Sequence, residues 1–81
     1  MKLVYSPAFL KDYADLSAEL QAKTDKQIAL LAIDPRHPSL RTHKRKGEKD
    51  TWQARVTRSH RIYFRMERDR ITLLTVGPHE K

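Results

Sequence analysis

Arg55 and Arg61 stand six residues apart in the stretch TWQARVTRSHRIYFRM, residues 51 to 66, where apolar and polar side chains alternate on either side of Arg58-Ser59. A period of two sends successive side chains to opposite faces of a strand. Trp52, Ala54 and Val56 therefore share an apolar face with Ile62, Phe64 and Met66, and the opposite face carries Gln53, Arg55, Thr57, Arg61, Tyr63 and Arg65. With the turn centred on Arg58, Arg55 faces Arg61, and like charges directly across a sheet are destabilising. A fold that keeps such a pair has a use for an anion there. A guanidinium fork meets phosphate with two parallel hydrogen bonds and holds its charge at any working pH. Tyr63, between Arg61 and Arg65, has the chemistry to stack on a base or to hydrogen-bond a phosphate.

The four histidines, His37, His43, His60 and His79, lack the spacing of a metal site, and the chain has no cysteine to join them. No metal or other cofactor is expected. A histidine beside arginines has a second use, because imidazole titrates near ~6.5 and exchanges a proton close to neutrality. His79 follows the last strand in TVGPHEK, where Gly77-Pro78 is expected to turn the chain at the sheet end. It is the better candidate for proton transfer. His60 has the parity of the apolar face and reads as a strand-edge residue. Gathered at one end of a sheet, such groups supply what RNA cleavage through the 2′-hydroxyl requires: a base for that proton, cations for the charge growing on phosphorus, and an acid for the leaving 5′-oxygen.

The charge distribution points the same way. The 81 residues carry a formal net charge of +7, but residues 1 to 35 hold four Lys/Arg against five Asp/Glu, while residues 36 to 70 hold twelve against four. A segregated cationic surface is the footprint of a polyanion binder, since each phosphate neutralised releases condensed counterions. Solubility alone does not demand segregation. The first residues contain no apolar run long enough for a signal peptide or a membrane span, so a soluble, cytoplasmic protein without a membrane partner is expected.

These side chains must be positioned by a small core, because 81 residues with 38% hydrophobic content lie near the lower limit for a self-sufficient domain. The whole chain, 1 to 81, reads as one domain. Lys2 to Tyr5 alternates as a short strand. Ser6 can cap a helix with Pro7 at its first position, where the missing N–H costs nothing, and Phe9, Leu10, Tyr13 and Leu16 follow at helical spacing. Ser17 can cap a second helix running to about Ile33, with Leu20, Thr24, Ile28 and Leu31 as its buried stripe, until Asp34-Pro35 ends it. Residues 34 to 50 read as a basic surface loop with a short strand around 40 to 45. Strands return at Thr51–Thr57, Arg61–Met66 and Ile71–Val76. The expected class is α+β: an N-terminal strand and two helices packed on one face of an antiparallel sheet of three or four strands.

The run W-x-A-R-V-T…H-R-I-Y-F, followed by an apolar strand and V-G-P-H, resembles the RelE/ParE superfamily of type II toxins, and the resemblance extends over essentially the whole chain. It implies a toxin that is either a ribonuclease cutting messenger RNA in the ribosomal A site without metal or, in the ParE branch, a poison of DNA gyrase. A non-catalytic nucleic-acid-binding domain is the third reading of the residues themselves. By position the resemblance implies that Arg61 contacts the scissile phosphate, that Arg55 replaces a catalytic lysine of RelE, and that His79 stands where YoeB has its catalytic histidine. His43, Lys44, Arg45 and Lys46 resemble the patch that these toxins lay on 16S ribosomal RNA, with Tyr63 and Arg65 joining the RNA-binding set. The glutamate that serves YoeB as base is replaced by Thr42, with Glu48 nearby but not aligned, and no aromatic residue follows His79. The base is then open among His43, Lys44 and Lys46, since an arginine at 55 is a poor proton acceptor. The resemblance also implies a cognate acidic antitoxin covering the cationic face, with operator DNA reached only through that antitoxin.

Overall fold

The structure is a computed structural model and describes residues 1–47 and 50–78; Glu48 and His79 lie outside the described residues. Local signals place the first elements. Strand β1 (Lys2–Tyr5) leads into helix α1 (Pro7–Ala14), whose cap Ser6 accepts the Phe9 N–H at 3.0 Å and donates its own hydroxyl to the Leu74 carbonyl at 2.8 Å. One serine thus closes the helix and ties it to the sheet. Ser17 caps α2 (Ala18–Ile33) through the Leu20 N–H at 3.2 Å, and Asp34 ends it before Pro35. A single 3-10 turn over Pro38–Leu40 follows and drops Leu40 into the core.

The remaining chain forms β2 (His43–Lys44), β3 (Thr51–Arg55), β4 (His60–Met66) and β5 (Arg70–Pro78). The β2–β3 turn uses Gly47 at φ +84°, a left-handed conformation that glycine adopts without steric cost. Among the described residues the sheet has five strands in the order β1-β5-β4-β3-β2. It is mixed: β2 through β5 run antiparallel as a meander, but β1 pairs parallel with β5, Leu3 facing Ile71 and Val4 facing Thr72. The antiparallel expectation thus holds for the meander and not for the edge, where β1 lies parallel to the last strand.

The parity of the hairpin holds. Ala54, Ile62 and Phe64 are buried with Phe9, Ile28, Leu31, Leu40, Ile71, Leu73 and Val76, and Trp52, Val56 and Met66 pack around them. Both helices lie on that face. Burial of this kind contributes about 25 cal/mol per Å² of apolar surface. Three helical residues depart from expectation: Leu10 is 53% exposed, Leu20 of the expected stripe is only half-buried, and Gln27, not in the expected stripe, is buried with its amide donating to the Arg55 carbonyl at 2.7 Å. No helix among the described residues is long and apolar enough to cross a membrane.

Candidate active site

The face of the sheet away from the helices is built in rows by the strand register. In the row nearest the β3–β4 turn, Arg55 pairs with Arg61 and Arg61 pairs with Gly77. Directly opposed residues bring their Cβ atoms to about 5 Å. The middle row runs His43, Gln53, Tyr63, Thr75, and beyond it Thr51, Arg65 and Thr72 stand together. Two cations and a glycine therefore adjoin one another at the turn end of the open face. A Cβ built on Gly77 would meet nothing within 4 Å, so the position leaves open space beside Arg61.

The turn carbonyls explain how the fold tolerates the paired arginines. Arg61 Nη1 donates to the carbonyls of Thr57 at 2.7 Å, His60 at 3.0 Å and Arg58 at 3.3 Å. The turn itself is fixed by Thr57 Oγ1, which accepts from the backbone N–H groups of His60 and Ser59. Arg61 is thus held across the turn while Nε and Nη2 find no partner among the described residues, and charge-assisted bonds of this sort are about twice as strong as neutral ones. Arg55 is half-buried, and its guanidinium has no partner among the described residues. Its backbone is fixed from behind by Gln27.

His43 is exposed, one row over and diagonal to Arg55. Its Nδ1 lies 3.2 Å from the Arg41 carbonyl. When Nδ1 carries the proton to that carbonyl, Nε2 is left with a lone pair. A lone pair of that kind can accept a proton, on the same face of the sheet that carries Arg55 and Arg61.

The structure divides the basic run at 43 to 46. His43 and Arg45 share the open face, but Lys44 pairs with Trp52 and so has the parity of the helix side, and Lys46 lies in the turn beyond the strand. The alternation of β2 thus divides the four candidate RNA-binding residues between the two sides of the strand and the turn beyond it. Tyr63 is also not the open platform that its parity suggests: it is 9% exposed, with the Arg45 guanidinium carbon 4.6 Å from its ring centroid. A base reaches the ring only if Arg45 moves aside. Arg65 is exposed, two rows from Arg61.

Gly77-Pro78 does not turn the chain as expected. Both residues extend β5, Pro78 opposite His60, which carries the strand to the turn end of the sheet. His60 is half-buried with Nδ1 near the hydroxyls of Thr57 and Ser59, as a strand-edge residue. Gln27, which fixes the backbone behind Arg55, is the residue that periodicity missed, since a polar side chain in an apolar stripe carries no signal of what it will bond.

Among the described residues two groups shift clearly in pKa. Tyr13 is raised by its hydrogen bond to Asp25, and Arg70 is raised by its hydrogen bond to Glu67. Both lie away from the Arg55–Arg61 end. No group of three or more metal-ligating side chains is found among the described residues.

Comparison with known proteins agrees with this architecture. The YoeB/ParE toxin from Agrobacterium tumefaciens superposes with a TM-score of 0.84 at 23% identity, covering 99% of this chain and 100% of that one. The isolated E. coli RelE toxin gives a TM-score of 0.78 at 18% identity over 99% and 85% of the two chains. The YoeB-YefM complex from Staphylococcus aureus gives 0.80 at 14% over 99% and 98%. A search of curated proteins finds no match. The family model for the ParE toxin of the type II toxin-antitoxin system parDE matches residues 3–81. With the fold shared across these toxins and the family model matching this chain over nearly all of its 81 residues, the chain belongs to the ParE toxin family of type II toxin–antitoxin systems.

Proposed function

We propose that this toxin is an endoribonuclease that cuts messenger RNA on the ribosome through the 2′-hydroxyl. The observation that carries the reading is the direct pairing of Arg55 with Arg61 beside the open space at Gly77. In the reaction, His43 Nε2 takes the proton of a ribose 2′-hydroxyl, and the 2′-oxygen attacks the adjacent phosphorus. Arg61 and Arg55 hold the non-bridging oxygens as negative charge grows on them. The bond to the 5′-oxygen breaks, and His79 protonates that leaving group. The products are a 2′,3′-cyclic phosphate and a 5′-hydroxyl. Proton transfer of this kind contributes about 10²–10⁴-fold, and preorganised charge at the phosphoryl oxygens about 10²–10³ per donor removed.

Arg45, Lys46 and Arg65 would hold the flanking RNA and the 16S ribosomal RNA, with Lys44 reaching it from the strand edge and Tyr63 stacking once Arg45 is displaced. The solved complexes of YoeB with YefM and of RelE with RelB support a cognate antitoxin for this chain. Such a partner would be acidic and would cover the cationic face, linking the toxin to operator DNA only indirectly.

Inhibition of DNA gyrase is the second reading, favoured by the family model being that of ParE. Purified protein added in parallel to translating ribosomes and to gyrase with supercoiled DNA separates the two. The nuclease reading expects cuts within the message and no gyrase-dependent DNA breaks. Double-strand breaks that require gyrase, with the message intact, overturn it.

A further inference from the structure

We infer that the cleft between α2 and the β3–β4 turn is a second anion site, which holds a phosphate of the same RNA whose neighbouring link lies at Arg55 and Arg61; the inference rests on the nuclease reading above. The cleft has a volume of 390 Å³ and is lined by Lys23, Lys26, Gln27, Val56, Thr57 and Arg58. Three of these six are cations, and none is acidic.

Each wall is held in place. Lys23 and Lys26 stand three apart on α2 and so share a flank of the helix. Gln27 sets the width of the cleft, because its buried amide bonds the Arg55 carbonyl at 2.7 Å. On the other wall the Thr57 hydroxyl fixes the turn through the N–H groups of Ser59 and His60.

The charges are available. Lys23 pairs with Glu19 at 3.3 Å, but the two side chains are 52% and 79% exposed, and water competes well for such a pair. Lys26 has no partner among the described residues. Asp25, its neighbour in sequence, is engaged by the Tyr13 hydroxyl at 2.8 Å. Arg58 is exposed at the tip of the turn.

Position selects a nucleic acid over an isolated anion. Arg55 and Arg58 are three residues apart, at most ~10 Å along the chain. A strand leaving Arg55 and Arg61 on the open face reaches the cleft by passing over the turn within one or two nucleotides. An acidic protein segment would meet the same cations, but the continuity with the Arg55–Arg61 row favours RNA.

The test uses a 2′-O-methyl RNA 12-mer, which lacks the attacking hydroxyl and is bound without being cut. Affinity is measured against salt for the wild type, for the triple variant K23Q/K26Q/R58Q, for Arg61→Gln, and for a control K2Q/K11Q/R36Q that removes three exposed charges elsewhere. The expected result is an affinity loss of about tenfold or more and a salt slope shallower by about 1–2 in the cleft variant, beyond any change in the control, since each phosphate contact contributes about 0.7 to the slope for single strands. Unchanged thermal unfolding shows that the variant folds. If the cleft variant binds like the control while Arg61→Gln binds weakly, the cleft holds no phosphate and the nuclease reading stands. If neither the cleft variant nor Arg61→Gln differs from the control, both fall. Loss of affinity for the cognate antitoxin with RNA binding intact assigns the cleft to a protein contact and overturns the inference.

Discussion

Among single residues, Arg61 matters because it is held rather than merely charged. Its Nη1 bonds three turn carbonyls, so the planar fork has a fixed direction. Lysine keeps the charge but lacks the fork and the delocalised donors. Arg61→Lys is therefore expected to lower the single-turnover cleavage rate by about 10²-fold with little change in thermal stability. A rate within a few-fold of wild type would show that charge alone suffices. Gly77 tests the space instead of the charge. Its backbone is ordinary strand and a Cβ meets nothing, so Gly77→Val is expected to fold as well as wild type, valine being a good strand residue. Cleavage should nevertheless fall sharply, because the branched side chain occupies the room beside Arg61. Full activity in a folded Gly77→Val protein would place the scissile phosphate elsewhere. The opposition of Arg55 and Arg61 was legible from parity and the position of the turn alone. The bonds of Arg61 to that turn were not, because they depend on how the guanidinium folds back across three carbonyls.

At the scale of elements, what is local in sequence was readable and what is non-local was not. Ser6, Pro7, Ser17 and Asp34-Pro35 set the helix ends by bonds spanning a few residues, and the structure places both helices between them. The parallel pairing of β1 with β5 joins residues almost seventy positions apart, and nothing in either strand announces it. The basic run at 43 to 46 shows how composition misleads: the residues are adjacent in sequence, but alternation sends Lys44 to the side opposite His43 and Arg45. Tyr63 shows the limit of parity, which assigns a face but not what lies over it. Gln27 joins α2 to the end of β3. Gln27→Met keeps the volume but removes the donor, and it leaves the Arg55 carbonyl without its side-chain partner. A buried hydrogen bond lost in this way costs about 1–3 kcal/mol, readable as a lowered urea midpoint. A midpoint unchanged within error would mean that water replaces the amide at no cost.

At the scale of the whole molecule, a small core supports a strongly cationic surface. Among the described residues a core cluster of ten buried apolar side chains holds five strands and two helices, so the margin of stability is narrow, and repulsion among unpaired cations reduces it further. An acidic partner laid over the open face would relieve that repulsion and stabilise the folded chain by mass action. The helices cover one side of the sheet and leave the other side to Arg55, Arg61 and His43, which is the division that the segregated charge implied. The most direct test of that division is the chemistry of the ends left on a message cut during translation. Wild-type protein is predicted to leave a 2′,3′-cyclic phosphate and a 5′-hydroxyl, with no cut where the scissile ribose is 2′-deoxy and almost none with Arg61→Ala. A 3′-hydroxyl and a 5′-phosphate, or cutting that persists at the 2′-deoxy position, would contradict the account.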